Sequence, residues 1–143
     1  MISDVIDRLQ NQCKSVNNRV YGAAELATLD KTIVGQTPSI YVIPLSEQAK
    51  SRIIGEFYTD NVLITLAIVT TVRNVADNRG ESAHQQLDPV RIEIKAALCG
   101  WKTSAMTNSM QYIQGRLASY DNQLLRYIDL YTTQTSFRQP IKL

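Results

Sequence analysis

The chain has 143 residues and a mass of 16.1 kDa, which is the size of one domain. Its content of 44% apolar and 20% charged residues is typical of a globular protein and excludes a disordered or fibrous one. The net charge of +2 is too small to argue for nonspecific binding to nucleic acid or membranes.

The first segment predicts an amphipathic helix. Its apolar residues recur at steps of three and four between Ile2 and Val16, which places them on one stripe. We expect Ser3 to cap the start of this helix, and Asn17 and Asn18 to end it. A short strand over Arg19–Tyr21 and a helical turn over Ala23–Leu29 follow.

Two strand-like stretches and two polar segments lie in the next part of the chain. Ile40–Ile43 are β-favouring residues between two prolines, and Ser46–Glu56 is typical of a loop or an irregular hairpin arm. Tyr58–Arg73 alternates apolar residues on one face and is the longest strand candidate, so we place it in the centre of a sheet. The polar segment Asn74–Leu87 is long for a connection, which is typical of a functional or a disordered loop. The capping-box spacing of Ser82 and Gln85 also indicates that part of this segment is helical.

The last part of the chain predicts a helix and a hairpin. Asp88 and Pro89 suit a helix start, and Gly100 suits a left-handed helix stop, so a second helix is predicted over Pro89–Cys99. Met110–Ser119 and Leu124–Phe137 predict two strands joined at residues 120–123. We expect Trp101 and Tyr127 to lie in the core.

The predicted fold class is therefore α+β, with a mostly antiparallel sheet of four to five strands and two main helices packed on it. We expect one domain over residues 1–143, ending in a mobile tail at residues 138–143.

The residues that could carry catalysis are sparse. His84 is the one histidine, and it lies in a polar segment without a nucleophile elbow. Cys13 and Cys99 lack metal-ligand spacing, and we expect both to be buried thiols. The six glycines are scattered singly and form no phosphate-binding loop. We therefore predict no enzymatic activity, no cofactor and no metal site.

Targeting segments are not evident either. Met1–Asp4 has neither a basic nor an apolar leader pattern, which predicts a protein that is cytoplasmic where it is made. The most apolar stretch, Val62–Val72, is about half the length of a membrane-spanning helix.

Charge is uneven along the chain. Residues 1–89 carry eight basic and ten acidic groups, whereas residues 90–143 carry seven and three. The second part interleaves arginines with tyrosines, a pattern of nucleic-acid platforms. It is also the pattern of a hairpin with tyrosines half in the core and arginines at the rim, which we favour. The residues are Arg116, Arg126, Arg138, Tyr112, Tyr120, Tyr127 and Tyr131.

Several local signatures occur together in an order that resembles the tail terminator, or tail completion, proteins of long-tailed bacteriophages. The resemblance extends from the first helix to Phe137. The pieces that carry it are Arg19–Gly22, Thr37–Ile43, the strand through Val62–Val72, the helix end Ala96–Trp101, the strand Gly115–Leu117 and the run Arg126–Thr133.

The resemblance implies a structural virion protein. Such proteins are small α+β domains that form a hexameric ring on the finished tail tube. The ring stops tube polymerisation and provides the surface for head joining. The implied partners are further copies of the chain, the major tail tube protein and a head-completion or stopper protein, with DNA as passing cargo in the lumen. The implied locations are the host cytoplasm during assembly and the virion tail.

The long polar loop supplies the candidate interface residues. A polar loop without a duty in the core is suited to contacts with a neighbouring subunit or the tube protein, so we assign this role to Arg73, Asp77, Arg79 and Glu81. The alternatives are another head–tail connector or stopper protein, which would bind the portal side, and a small nucleic-acid-binding domain built on the C-terminal hairpin.

Overall fold

The computed structural model describes residues 1–24, 37–73, 81–121 and 124–142. The helices are α1 (Ile2–Gln12) and α2 (Glu81–Leu98), and a 3-10 turn covers Lys14–Val16. The strands are β1 (Val20–Tyr21), β2 (Ser39–Ile54), β3 (Phe57–Arg73), β4 (Asn108–Asp121) and β5 (Leu124–Pro140). The predicted α+β class is confirmed.

The five strands form one sheet in the order β1-β2-β3-β5-β4. β1 pairs with β2 in parallel, and every other neighbouring pair is antiparallel. The apolar alternation of β3 correctly predicts its central place. β5 pairs with β3 along its whole length, from Leu124 opposite Arg73 to Pro140 opposite Phe57.

Both described helices pack on one face of the sheet, which we call the front face, and the opposite face is the back face. The front face is apolar in the part that the helices cover, because alternate residues of each strand point to the same side. α1 contributes Val5 and Leu9 to this core, and α2 contributes Val90, Ile94 and Leu98. The strand residues that complete it are Ile40, Val42, Ile64, Leu66, Ile68, Met110 and Tyr131.

α2 starts at Glu81, two turns before the predicted start at Pro89, which lies inside the helix. The predicted loop Asn74–Leu87 is therefore shorter than the polar sequence indicated. Leu87 explains the extension, since it is buried against Val72 and Leu125 in a second small apolar cluster. Burial of Leu87 offsets the cost of an interior proline.

α1 also starts differently from the prediction. The helix begins at Ile2, and no side chain caps it, so Ser3 is not the cap. The N-terminal amino group lies 3.8 Å from the Asp4 carboxylate instead. α1 ends at Gln12, earlier than the predicted end at Asn17 and Asn18, and Asn17, with φ of 48°, ends the 3-10 turn instead. The predicted stop after α2 is confirmed, because Gly100 adopts a left-handed conformation with φ of 80°.

Three strands, β2, β4 and β5, extend further than predicted. β2 continues through Ser46–Ile54, which was expected to be a loop or an irregular arm, and β4 includes Tyr120 and Asp121. Arg138–Pro140 belong to β5, so the expected mobile tail is paired with β3 at these residues. The helical turn predicted over Ala23–Leu29 lies largely outside the described residues.

Candidate functional site

The sheet continues beyond its helix-covered part as a three-stranded extension, which we call the arm. It consists of Ser46–Ile54 of β2, Phe57–Val62 of β3 and Thr135–Pro140 of β5. Every residue of β2 from Pro44 to Ile54 is exposed, in contrast to the buried residues Ser39–Val42 at its start. An extension without a core of its own is suited to contacts with other molecules.

The register sorts the arm residues onto its two faces. Residues opposite each other in an antiparallel pair lie on the same face. On the front face, Ile53 lies opposite Tyr58, and the Tyr58 ring makes an edge contact with Phe137 at 6.4 Å between centroids. The Tyr58 hydroxyl lies 3.0 Å from Ser51 Oγ and donates to Asp60 Oδ2 at 3.3 Å. We call Ile53, Tyr58 and Phe137 the tip patch.

The two long edges of the arm are open among the described strands. β1 pairs only with Ile40 and Tyr41, so the remainder of β2 has no described strand on its outer side. β4 begins opposite Gln134 of β5, so Thr135–Pro140 have no described strand on the other side. Open strand edges present unpaired N–H and C=O groups, which favour pairing with another chain.

A second site lies between α2 and the β4–β5 pair. Asp129 is 2% exposed, and its carboxylate accepts hydrogen bonds from Arg91 Nη2 at 2.9 Å and Arg91 Nε at 3.0 Å. The Tyr112 hydroxyl donates to Asp129 Oδ1 at 3.1 Å. The Arg91 guanidinium also lies 4.1 Å from the centre of the Tyr127 ring. We call these four residues the Arg91 cluster.

These contacts and the burial around them shift the pKa of Arg91 and of two tyrosines. The hydrogen bonds to Asp129 raise the pKa of Arg91 above its ordinary value. Burial, and then the Asp129 charge, raise the pKa of both Tyr112 and the neighbouring Tyr131. At neutral pH Arg91 is therefore charged, and the phenols of Tyr112 and Tyr131 are neutral.

Gly115 of β4 makes room for the Arg91 cluster. A methyl group at this position would lie 2.5 Å from Asp129 Oδ1, 2.6 Å from the Tyr112 hydroxyl and 2.9 Å from Arg91 Nη2. Gly115 lies inside a strand and not in a turn between elements. Its absent side chain instead permits the close approach of three polar groups.

The structure describes only some of the predicted interface residues. Arg73 ends β3, is half-buried and pairs in register with Leu124. Asp77 and Arg79 lie outside the described residues, as does the side chain of Glu81, which begins α2. The role of the four residues therefore stays a prediction.

The arginines and tyrosines of the C-terminal hairpin separate onto different faces. Tyr112, Tyr127 and Tyr131 lie on the front face, where Tyr131 is buried and the other two are half-buried. Arg116, Arg126 and Arg138 occupy back-face positions of the same two strands. The hairpin therefore has no shared aromatic and basic surface among these residues. Tyr127, like Trp101, packs against the core but is half-buried.

The two cysteines differ in exposure. Cys13 is buried, as predicted, but Cys99 is exposed because it lies just beyond the end of α2, so the prediction for Cys99 is wrong. Burial, with a smaller contribution from the Glu93 charge, raises the pKa of Cys13 to about 12.

We expect one thiol per chain to react with Ellman's reagent at pH 8 in the folded protein, and two in guanidinium chloride. Cys99 is accessible, whereas Cys13 is both buried and protonated at this pH. Thiol titration by absorbance checks the count. The Cys99→Ser variant should show no reaction when folded, and a reaction of that variant at the wild-type rate would contradict the assignment.

The described part of the chain lacks two kinds of feature, a metal-binding cluster and a membrane-spanning helix. Within it, no group of three or more histidine, cysteine, aspartate or glutamate residues is arranged to hold a metal ion. None of the helices described is both long and apolar enough to cross a membrane.

Comparison with known proteins agrees with this architecture. The family model described as phage tail terminator protein matches residues 2–142. Among solved structures, a chain of the virion of a native gene transfer agent particle superposes with a TM-score of 0.54. The two sequences are 11% identical, and the match covers 93% of this chain and 92% of the other, so the likeness concerns the fold. No curated protein gives a significant match.

Proposed function

We propose, since the chain belongs to the phage tail terminator family, that it forms a six-membered ring on the finished end of a tail tube. The ring stops the addition of further tube subunits and presents the surface that a head-completion or stopper protein binds. Assembly takes place in the host cytoplasm, and the protein remains in the virion tail. The role is structural and requires no cofactor.

The arm with two open edges is the observation that carries this proposal. Neighbours in a closed ring meet head to tail, so each subunit needs two different complementary surfaces. The outer edge of β2 and the free edge of Thr135–Pro140 lie on opposite sides of the arm. They are thus a candidate pair of complementary surfaces on one rigid element.

The strand directions are compatible with such a ring. β2 and β5 both run antiparallel to β3, so they are parallel to each other. Rotation about a ring axis preserves the direction of an element along that axis. Where the arms lie side by side, β5 of one subunit therefore meets β2 of the next subunit as a parallel pair.

The charged segment before α2 supplies a second proposed contact. In this contact, a neighbouring subunit or the tube protein meets Arg73, Asp77, Arg79 and Glu81. Opposite charges across such an interface fix its register, and like-charge pairs across it are strongly unfavourable.

Reversing two of these charges, in Arg79→Glu/Glu81→Arg, should abolish ring formation or tube capping. The melting temperature should stay within about 2 °C of the wild type, which corresponds to a change of less than ~1 kcal/mol in the free energy of unfolding. Light scattering and a tube-length assay check the two readouts. The matched control is Asp7→Lys/Lys14→Glu, which reverses two exposed charges of the N-terminal segment. Unchanged assembly of the Arg79/Glu81 variant would contradict this contact.

The proposed function itself is tested with the wild-type chain and purified tail tube protein. We expect the chain to form a species of six times 16.1 kDa, alone or on tube ends, and tubes formed in its presence to stop growing. Negative-stain images should show the added density at one tube end. Tubes that grow without limit at saturating protein would contradict the proposal, and binding to an isolated portal complex instead would support the connector alternative.

A further inference from the structure

The charged residues of the arm are sorted by face. Lys50, Arg52 and Arg138 all lie on the back face, since they occupy register positions with Asn61 and Thr59. The two acidic strand residues of the arm, Glu47 and Asp60, occupy the front face. The net charge of the whole chain is close to zero, but the back face of the arm carries three cations. No carboxylate occupies a described strand position on that face.

These three cations are available to an external anion. All three are exposed, and none forms an ion pair within the described residues. The Arg138 guanidinium lies 4.0 Å from the centre of the Phe57 ring, a contact that orients the group without neutralising it. Arg52 and Arg138 flank Thr59 in one row across three strands, about 10 Å apart.

A polar cleft continues this surface. It has a volume of about 680 Å³ and opens on the back face beside Lys50. Side-chain amides dominate its wall, and they can donate hydrogen bonds to phosphate oxygens as well as to bases. The four amide residues are Gln48, Asn61, Asn108 and Gln134.

The spacing and composition of this face favour a duplex over a single strand. The exposed Arg116 lies opposite Ile128, ten residues before Arg138 along β5, which is roughly 33 Å and close to one turn of B-form DNA. Single-strand platforms need exposed aromatic rings for stacking. The aromatic rings at described back-face positions are Tyr41, which is buried, Tyr21, which is half-buried against Tyr41, and Phe57, which Arg138 covers.

We infer that the back face of the arm binds the phosphate backbone of duplex DNA through Lys50, Arg52 and Arg138. This inference rests on the proposed function for the source of the DNA, which is the genome passing the tail end. Three phosphate contacts per chain give weak, salt-sensitive and sequence-independent binding. Such contacts guide a moving duplex without stopping it, and a ring multiplies them.

The test compares two variants that each remove three positive charges. The first is Lys50→Gln/Arg52→Gln/Arg138→Gln, and the control is Lys14→Gln/Lys95→Gln/Lys102→Gln, all at exposed positions. Binding of a fluorescent 30-base-pair duplex is measured by anisotropy between 25 and 200 mM salt. Light scattering on the same samples gives the oligomeric state, and thermal melting confirms folding.

We expect the arm variant to bind at least tenfold more weakly at low salt, and the slope of log affinity against log salt to become less negative by up to ~3 per bound chain. The control should stay within about threefold of the wild type. Equal losses in both variants, or wild-type chains that bind no duplex at 25 mM salt, would overturn the inference. Equal displacement of the duplex by polyglutamate would assign the surface to an acidic protein and also overturn it.

The two proposals fail separately in this design. Chains that bind the duplex but neither form rings nor cap tubes would overturn the proposed function alone. Chains that cap tubes normally while the arm variant keeps full DNA affinity would overturn the inference about DNA alone.

Discussion

Replacement of Arg91 by methionine is expected to lower the free energy of unfolding by about 3 kcal/mol, because it leaves a buried carboxylate without its cation. Asp129 is 2% exposed and would retain only the Tyr112 hydroxyl as a hydrogen-bond donor among the contacts of the cluster. Methionine preserves most of the apolar stem, so lost packing contributes little. For a chain of this size the melting temperature should fall by roughly 6–12 °C. Urea unfolding followed by circular dichroism measures the change.

Arg116→Met is the matched control, since Arg116 is an exposed arginine on β4 and its replacement should change stability by less than about 0.5 kcal/mol. Gly115→Ala tests the same cluster from another side. Its methyl group would displace Asp129 and Tyr112, and we expect a loss of about 1–3 kcal/mol from overpacking. If Arg91→Met were as stable as Arg116→Met, the buried pair would not stabilise the fold.

The second large effect is expected at the tip patch. The double variant Ile53→Asp/Phe137→Asp should abolish ring formation and tube capping, because it places two charges on an apolar surface that assembly would bury. The two side chains are already 67% and 50% exposed in the isolated chain, so the folded subunit should lose less than about 1 kcal/mol. Tube length in electron micrographs and ring mass by light scattering give the readout.

A control of the same chemistry is available outside the arm. Ile92 on α2 and Leu117 on β4 are 68% and 52% exposed, which closely matches the pair at the tip. Ile92→Asp/Leu117→Asp should leave assembly intact if the arm is the contact surface. Loss of capping in this control together with normal capping by the arm variant would place the interface on the opposite end of the sheet.

The core of the fold is predictable from the sequence because its signals are periodic. The alternation in β3 predicts a central strand, and the apolar stripe Val90–Leu98 predicts α2. The earlier start of α2 could also have been predicted, because Leu87 lies three residues before Val90 on the same stripe. The arm was harder to predict, since both of its faces are exposed and its β2 segment therefore shows no apolar alternation. The β2 segment of the arm is a strand because its backbone pairs with β3.

The Arg91 cluster could have been suspected from one residue. Asp129 follows the alternation of Leu125, Tyr127 and Tyr131, and it therefore occupies a core-facing position. A carboxylate there needs a partner, because burial of an unpaired charge is strongly unfavourable. The identity of that partner could not be read from the sequence, since Arg91 is 38 residues away and is aligned with Asp129 only by the docking of α2.

β5 is the last of the described strands in chain order, so the arm is completed after its other two strands have been made. β2 and β3 are made long before β5, yet β5 supplies one open edge of the arm and half of the pairing of β3. A nascent or shortened chain that ends before residue 135 would present a long two-stranded hairpin, which is marginal in water without a third strand. Under the proposed function, a subunit gains the β5 edge of the arm, and with it the second ring surface, only after Thr135–Pro140 pair with β3.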